Sequence, residues 1–190
     1  MRHVEADREH VKQMGRCHQI GNTLWLTMSG SGIGMRFTGR YLEIPICGGY
    51  VAKHGEPDGN YARLAVYVDG VRIRDEMIDS PHKRLVVIDQ EIPGDFEVQL
   101  IKLSESAMSV AGVEPLVTGE EDLMVPLPDK AHLVEFIGDS ITCGYGVDDE
   151  DFSHGFSTAT EDVTRAYAYH TARLLDVDYT LFSASGFGII

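Results

Sequence analysis

The segment ARLAVYVDGVRIRDEMI, residues 62–78, leaves little choice of local structure. Leu64, Val66 and Val68 occupy alternate positions, and Val71 and Ile73 resume the alternation after Asp69-Gly70. Period-two apolar spacing lines one face of a strand, and Asp-Gly supplies the two positive-φ positions of a tight hairpin turn. Around it lie other short runs rich in Leu, Ile, Phe, Tyr and Trp: NTLWLTMSG, IGMRFTG and RYLEIPICG, each closed by glycine, then RLVVID and DFEVQLIKLSE, separated by QEIPG. No long helical period appears before residue 119. Many short strands with Gly or Asp turns predict a two-layer β-sandwich, a jelly roll, over residues 1–128. Its expected core is Leu24, Leu26, Phe37, Leu42, Ile44, Val66, Val68, Val98, Leu100 and Ile101.

Residues 119–131, GEEDLMVPLPDKA, mix acids with two prolines and read as a linker. Beyond it the pattern changes. HLVEFIG is a short apolar strand, TATEDVTRAYAYHTARLL a helix, and VDYTLFSAS a second strand. Thr158 and Glu161 fit a capping box, and Val163, Tyr167, His170 or Thr171, and Leu174 recur at helical spacing. Strand, helix and strand make a βαβ unit with a parallel pair, so residues 129–190 are expected to begin an α/β domain.

Charge follows the same division. The chain carries a formal net charge of −14, and ten acidic against two basic residues fall between His132 and Ile190. Such an acidic chain is a poor partner for nucleic acid or an anionic membrane surface, and it suits a neutral or cationic ligand. Cys17, Cys47 and Cys143 are too few and too scattered for a disulfide framework or a zinc site, so no metal or other cofactor is expected. The opening MRHVEADREH has no apolar signal-peptide core, and no run of about 18 apolar residues could span a bilayer; the expectation is a cytoplasmic protein.

The chemistry concentrates in EFIGDSITCGYG, residues 135–146. An apolar strand there ends in Gly138-Asp139-Ser140, the place where parallel sheets present ligands. A serine hydroxyl is a weak nucleophile that needs a base and donors for the developing oxyanion. Gly138 permits a sharp turn, Asp139 orders it, and Ser140 can offer both its hydroxyl and its N–H. By itself Gly-Asp-Ser is also an ordinary turn.

FIGDSITCGYG resembles the first signature block of the SGNH, or GDSL-type, hydrolases. With TLWLTMSGSGIGMRFTG, YVDG, KLSESAMSVAGV and the terminal TEDVTRAYAYHTARLLDVDYTLFSASGFGII, in that order, nearly the whole chain resembles carbohydrate esterase family two. The resemblance implies a jelly roll joined to a flavodoxin-like three-layer SGNH domain. It also implies an acetyl esterase that deacetylates xylan- or mannan-type saccharides through an acyl-serine, with an acetylated oligo- or polysaccharide as partner. It makes Ser140 the nucleophile and one oxyanion donor, and SASGFGI supplies a second donor at Gly186, or alternatively at Gly188. The family's asparagine donor and histidine base come from later blocks, so the chain is expected to be an incomplete record of a longer enzyme and inactive alone. A non-catalytic carbohydrate-binding or scaffolding module is the alternative.

Other features have plainer readings. Asp151 and His154 have an acid–base spacing but sit in a loop too early in the chain, and His170 takes no role. SGSGIG, residues 29–34, reads as a hairpin rather than a phosphate loop, because no helix follows it. The acids Asp148 to Asp151 read as solvated, Cys143 as a small buried thiol, and Trp25 as core.

Overall fold

The computed structural model describes residues 1–55, 58–151 and 153–188. Its first part contains β1 (Arg2–Val4), β2 (Lys12–Met14), β3 (Cys17–Ile20), β4 (Thr23–Leu26), β5 (Gly32–Gly48), the short α1 (Tyr50–His54), β6 (Ala62–Val68), β7 (Val71–Ile78), β8 (His82–Lys102), β9 (Ala111–Val113), β10 (Leu116–Thr118) and β11 (Leu123–Pro126). The second contains β12 (Leu133–Gly138), α2 (Ser140–Cys143), α3 (Tyr167–Leu174) and β13 (Asp178–Ser183). This is the expected β-sandwich followed by a strand–helix–strand unit.

The strands of the first part join in the order β3-β4-β9-β5-β8-β6-β7, with β2, β10 and β11 also on β5 and β1 on β10. Here the structure corrects the short-strand reading. IGMRFTG and RYLEIPICG form one strand, β5, and RLVVID and DFEVQLIKLSE as far as Lys102 form one strand, β8, running through QEIPG. The two pair antiparallel from Gly32 opposite Ile101 to Cys47 opposite His82, with Gly39 facing Gly94 and a register shift before Tyr41. A Cβ on Gly39 would lie 2.3 Å from Asp122 Cγ, so only glycine allows this approach. The shift moves the inward set from Ile33, Met35 and Phe37 to Leu42, Ile44 and Ile46, so both halves of β5 face one core.

Leu24, Leu26, Phe37, Leu42, Ile44, Val66, Val98 and Leu100 lie in that core as expected. Val68 is half-buried at its edge. Ile101 points out of the opposite face and packs with Ala65, Leu103 and Tyr169 of α3. Trp25 is not core: it alternates with Leu24 and Leu26 and stays half-buried, opposite Gly112. The β6–β7 hairpin turns at Asp69 and Gly70, both at positive φ.

Two connectors also differ from expectation. SGSGIG is no hairpin, because β9 lies between β4 and β5 and pairs with both. Instead the segment seats β13: Tyr179 Oη donates to the Gly30 carbonyl at 3.1 Å, and Ser29 Oγ meets Ser183 Oγ at 3.3 Å. Residues 123–126, read as linker, add β11 to β5, from Leu123 opposite Thr38 to Pro126 opposite Met35. Val125 and Leu123 remain exposed there, which kept the apolar alternation of this strand weak.

In the second part β12 and β13 are parallel, Leu133 opposite Asp178 through Gly138 opposite Ser183. The helix begins eight residues later than its capping-box reading, with Ala166 rather than Thr158 at the N-cap. Residues Thr158–Thr160 and Val163–Arg165 are 3-10 turns capped by Ser157 and Asp162, and α3 starts only after an extended Ala166. The box fails because Glu161 is fully buried and spends its carboxylate on the Glu105 N–H, at 3.0 Å. The buried face of α3 is Ala168, Tyr169 and Ala172, while Tyr167, His170 and Leu174 are exposed. One face of the β12–β13 pair packs inward through Phe136, Tyr179 and Leu181; Leu133, Ile137 and Phe182 are exposed on the other. No helix among the described residues is long and apolar enough to cross a membrane.

Candidate active site

Ser140 is half-buried and opens the one-turn helix α2 just beyond the carboxyl end of β12. The turn is fixed from both sides. A Cβ on Gly138 would lie 2.0 Å from Thr142 Oγ1, so glycine is required by close approach rather than by φ. Asp139 caps α2: its Oδ1 accepts from the Ile141 N–H at 3.0 Å and its carbonyl from the N–H groups of Thr142 and Cys143, both at 3.1 Å. The Ser140 carbonyl accepts from Tyr145 N–H at 3.0 Å and from Gly144, which leaves the helix in the left-handed conformation. Thr142 Oγ1 lies 3.1 Å from Tyr167 Oη, tying α2 to α3.

The adjacent strand ends beside this turn. Ala184 N–H donates to the Gly138 carbonyl at 3.3 Å, and the chain then turns at Gly186, φ +79°. Among the described residues, neither the Ser140 N–H nor the Gly186 N–H has a hydrogen-bond acceptor. Gly186 and the alternative donor Gly188 are both exposed. The parallel pair therefore ends in the Ser140 hydroxyl and in two amides, those of Ser140 and Gly186, that have no acceptor among the described residues.

What holds this edge to the sandwich was not foreseen from the sequence. Glu105, just after β8 and 1% exposed, accepts from Ser185 N–H at 2.6 Å and from the Cys143 thiol at 3.3 Å, both on Oε2. Lys102 is fully buried; its Nζ donates to the carbonyls of Ser104 at 2.5 Å and Glu105 at 2.9 Å. Burial, with the Glu105 carboxylate adding to it, raises the Glu161 pKa, and complete burial lowers that of Lys102. Farther out, the acids of the second part meet cations of the first: Lys12 with Asp178 at 2.6 Å, Arg63 with Asp148 at 2.7 Å, Arg72 with the buried Asp162 at 2.7 Å, and Arg16 with Glu135 at 2.5 Å. The excess of acid beyond residue 131 is in good part a docking surface, and Asp148 is not simply solvated. Burial alone would raise its pKa, but Arg63 and Arg165 hold it low.

No imidazole among the described residues hydrogen-bonds the Ser140 hydroxyl. His154 is exposed and pairs with Asp149 at 3.1 Å and Asp151 at 3.6 Å, in a cleft of about 310 Å³ that Ser140 does not line. His170 is exposed on α3. Burial pushes the Cys143 thiol up to about 12, which makes it a poor nucleophile. The structure does bring cysteines to other possible ligands, Cys47 to His82 and Glu114, and Cys143 to Glu105 and Glu161. Sequence spacing gave no sign of either group, because the members are far apart along the chain.

Residues 13–128 match the family model described as carbohydrate esterase 2 N-terminal. The chain belongs to carbohydrate esterase family two. It is 31% identical over 158 residues to an acetylxylan esterase / glucomannan deacetylase of Cellvibrio japonicus, covering 79% of this chain and 41% of that protein. Two solved family members share its fold. One, a family two carbohydrate esterase from Cellvibrio japonicus, superposes with a TM-score of 0.86 at 20% identity over 100% of this chain and 54% of its own. The other, from Clostridium thermocellum in complex with cellohexaose, gives 0.82 at 23% identity over 94% of this chain and 52% of its own. The chain thus spans 41% of the length of the curated relative and about half of each structure.

Proposed function

We propose that this chain carries the nucleophile half of a carbohydrate O-acetyl esterase, with Ser140 as the attacking residue. The supporting observation is the edge formed by Ser140 and Gly186: a hydroxyl at the first turn of α2 with two amides that have no acceptor among the described residues. In this reading Ser140 Oγ attacks the acetyl carbonyl carbon while a general base takes the serine proton. The N–H groups of Ser140 and Gly186 receive the oxyanion, each donor being worth roughly 10²–10³ in rate. Collapse breaks the bond to the sugar oxygen, which leaves as the hydroxyl with that proton, and water then hydrolyses the acetyl-serine. Family resemblance assigns the base to a histidine and a third donor to an asparagine. Gly138 and Asp139 shape the turn. Acetylated xylan- or mannan-type saccharides are the proposed substrates.

The test is acetate release from acetylated xylan and p-nitrophenyl acetate by the complete gene product. Ser140→Ala is expected to remove nearly all turnover, and undiminished turnover in that variant ends the proposal. The cellohexaose complex of the Clostridium thermocellum relative supports a second reading, a sugar-binding module without catalysis. Calorimetric binding of unacetylated oligosaccharide with no acetate release would select it.

A further inference from the structure

The two segments that carry Ser140 and Gly186 belong to different strands, and β-ladder bonds connect them only as far as Gly138 and Ala184. Beyond that point, beside a side-chain hydrogen bond between Cys143 and Ser183, one oxygen of the sandwich bridges them. Glu105 Oε2 accepts from the thiol of Cys143, the last residue of the α2 turn that Ser140 begins, and from the N–H of Ser185, the neighbour of Gly186. Glu105 is itself held on both sides: its N–H donates to Glu161 Oε2 at 3.0 Å, and its carbonyl accepts from Lys102 Nζ at 2.9 Å. At 1% exposure it cannot trade these partners for water. A carboxylate suits the place because one oxygen can accept two donors and carries no hydrogen of its own to satisfy.

We infer that Glu105 is a positioning residue: its carboxylate, delivered by the β-sandwich, sets the spacing between the hydroxyl of Ser140 and the amide of Gly186. The inference rests on the catalytic reading of those two residues. It gives the sandwich a part in the chemistry beyond holding sugar. Glu105 touches no reacting atom; it acts through α2 and the 184–187 turn. The same cluster, Glu105, Cys143 and Glu161, has the composition of a metal site, and Glu105 Oε1 and Glu161 Oε1 are buried without a hydrogen-bond partner among the described residues; against a cation there, Glu105 Oε2 is already bonded twice and Lys102 supplies positive charge beside it.

The experiment uses the complete gene product with Glu105→Ala, Glu105→Gln and Cys143→Ala. Hydrogen exchange of the 183–188 segment reads the Ser185 tie directly and does not depend on any ester chemistry. In Glu105→Ala its exchange is expected to rise at least tenfold while β6 and β8 keep their protection. On p-nitrophenyl acetate, kcat is expected to fall about 10²-fold with KM within about twofold, the loss that a misplacement near 1 Å produces. The amide oxygen of Glu105→Gln can accept both donors, so kcat should recover to within about tenfold of the parent. Unchanged exchange at 183–188, or equal losses in the Ala and Gln variants that track only the folded fraction, would overturn the inference. Should Glu105→Ala fail to fold, Cys143→Ala decides. It cuts one tie and should lower kcat about threefold or more at constant KM, whereas parental kcat counts against the positioning role. An esterase reading lost through Ser140→Ala leaves the exchange result standing, so the two failures are told apart.

Discussion

The two faces of β8 are built from opposite chemistry. On one, Val98 and Leu100 enter an apolar interior with Phe37, Ile44 and Val66, all fully buried. On the other, the second part of the chain is received by a small apolar patch, Ala65, Ile101 and Leu103, ringed by buried polar groups and ion pairs. An apolar interior needs volume and pattern, and many sequences satisfy it. A polar contact must satisfy each donor and acceptor in one geometry, since an unpaired buried group costs about 1–3 kcal/mol. The first kind of contact makes a scaffold; the second fixes where Ser140 stands relative to it.

Variants can separate these two contributions. Phe37→Ala should cost about 3–5 kcal/mol in guanidinium unfolding and destabilise both parts together, because the second has its seat on the first. A loss below about 1 kcal/mol would mean that the interior is not the common foundation. Arg72→Met removes the cation from Asp162, which is fully buried, and should cost about 3 kcal/mol. Hydrogen exchange should place this loss in residues 158–175 and leave 62–102 protected; uniform loss would dissolve the distinction.

Glu161→Gln sharpens the comparison through pH. Glu161 has a raised pKa in the fold, where Lys102, Glu105 and Cys143 face it. Above the ordinary glutamate range the folded state therefore holds a proton that the unfolded state has lost, and stability falls as pH rises. The Gln variant should flatten this fall in thermal melts between pH 5 and about 7.5, and an unaltered slope would show that Glu161 is not the titrating group. The smallest effect is expected at the rim. Arg16→Ala breaks an exposed pair with Glu135 and a cation–π contact with Phe182, together worth under about 1 kcal/mol.

The same contrast explains what could be read from the amino acids. The hairpin at Asp69-Gly70, most of the core and the Gly138-Asp139-Ser140 turn are local patterns, each visible within a dozen residues. The continuity of β5 and β8 was hidden because glycines that usually end strands serve here as a bend inside them. The late start of α3 was hidden because Glu161 and Asp162, good first-turn residues, bond to Glu105 and Arg72 instead. Trp25 gave no sign of which face of β4 it takes. Glu105 was least legible of all: its partners are 38 and 80 residues away, and nothing nearby marks it as different from other acids.

The central claim is that the Ser140 hydroxyl accepts an acyl group. Treating the complete gene product with a fluorophosphonate and mapping the adduct by peptide mass spectrometry tests it directly. The account predicts one stoichiometric adduct, on the peptide carrying Ser140, and none in Ser140→Ala. Labelling at any other serine, or an unlabelled protein that still releases acetate, would contradict it.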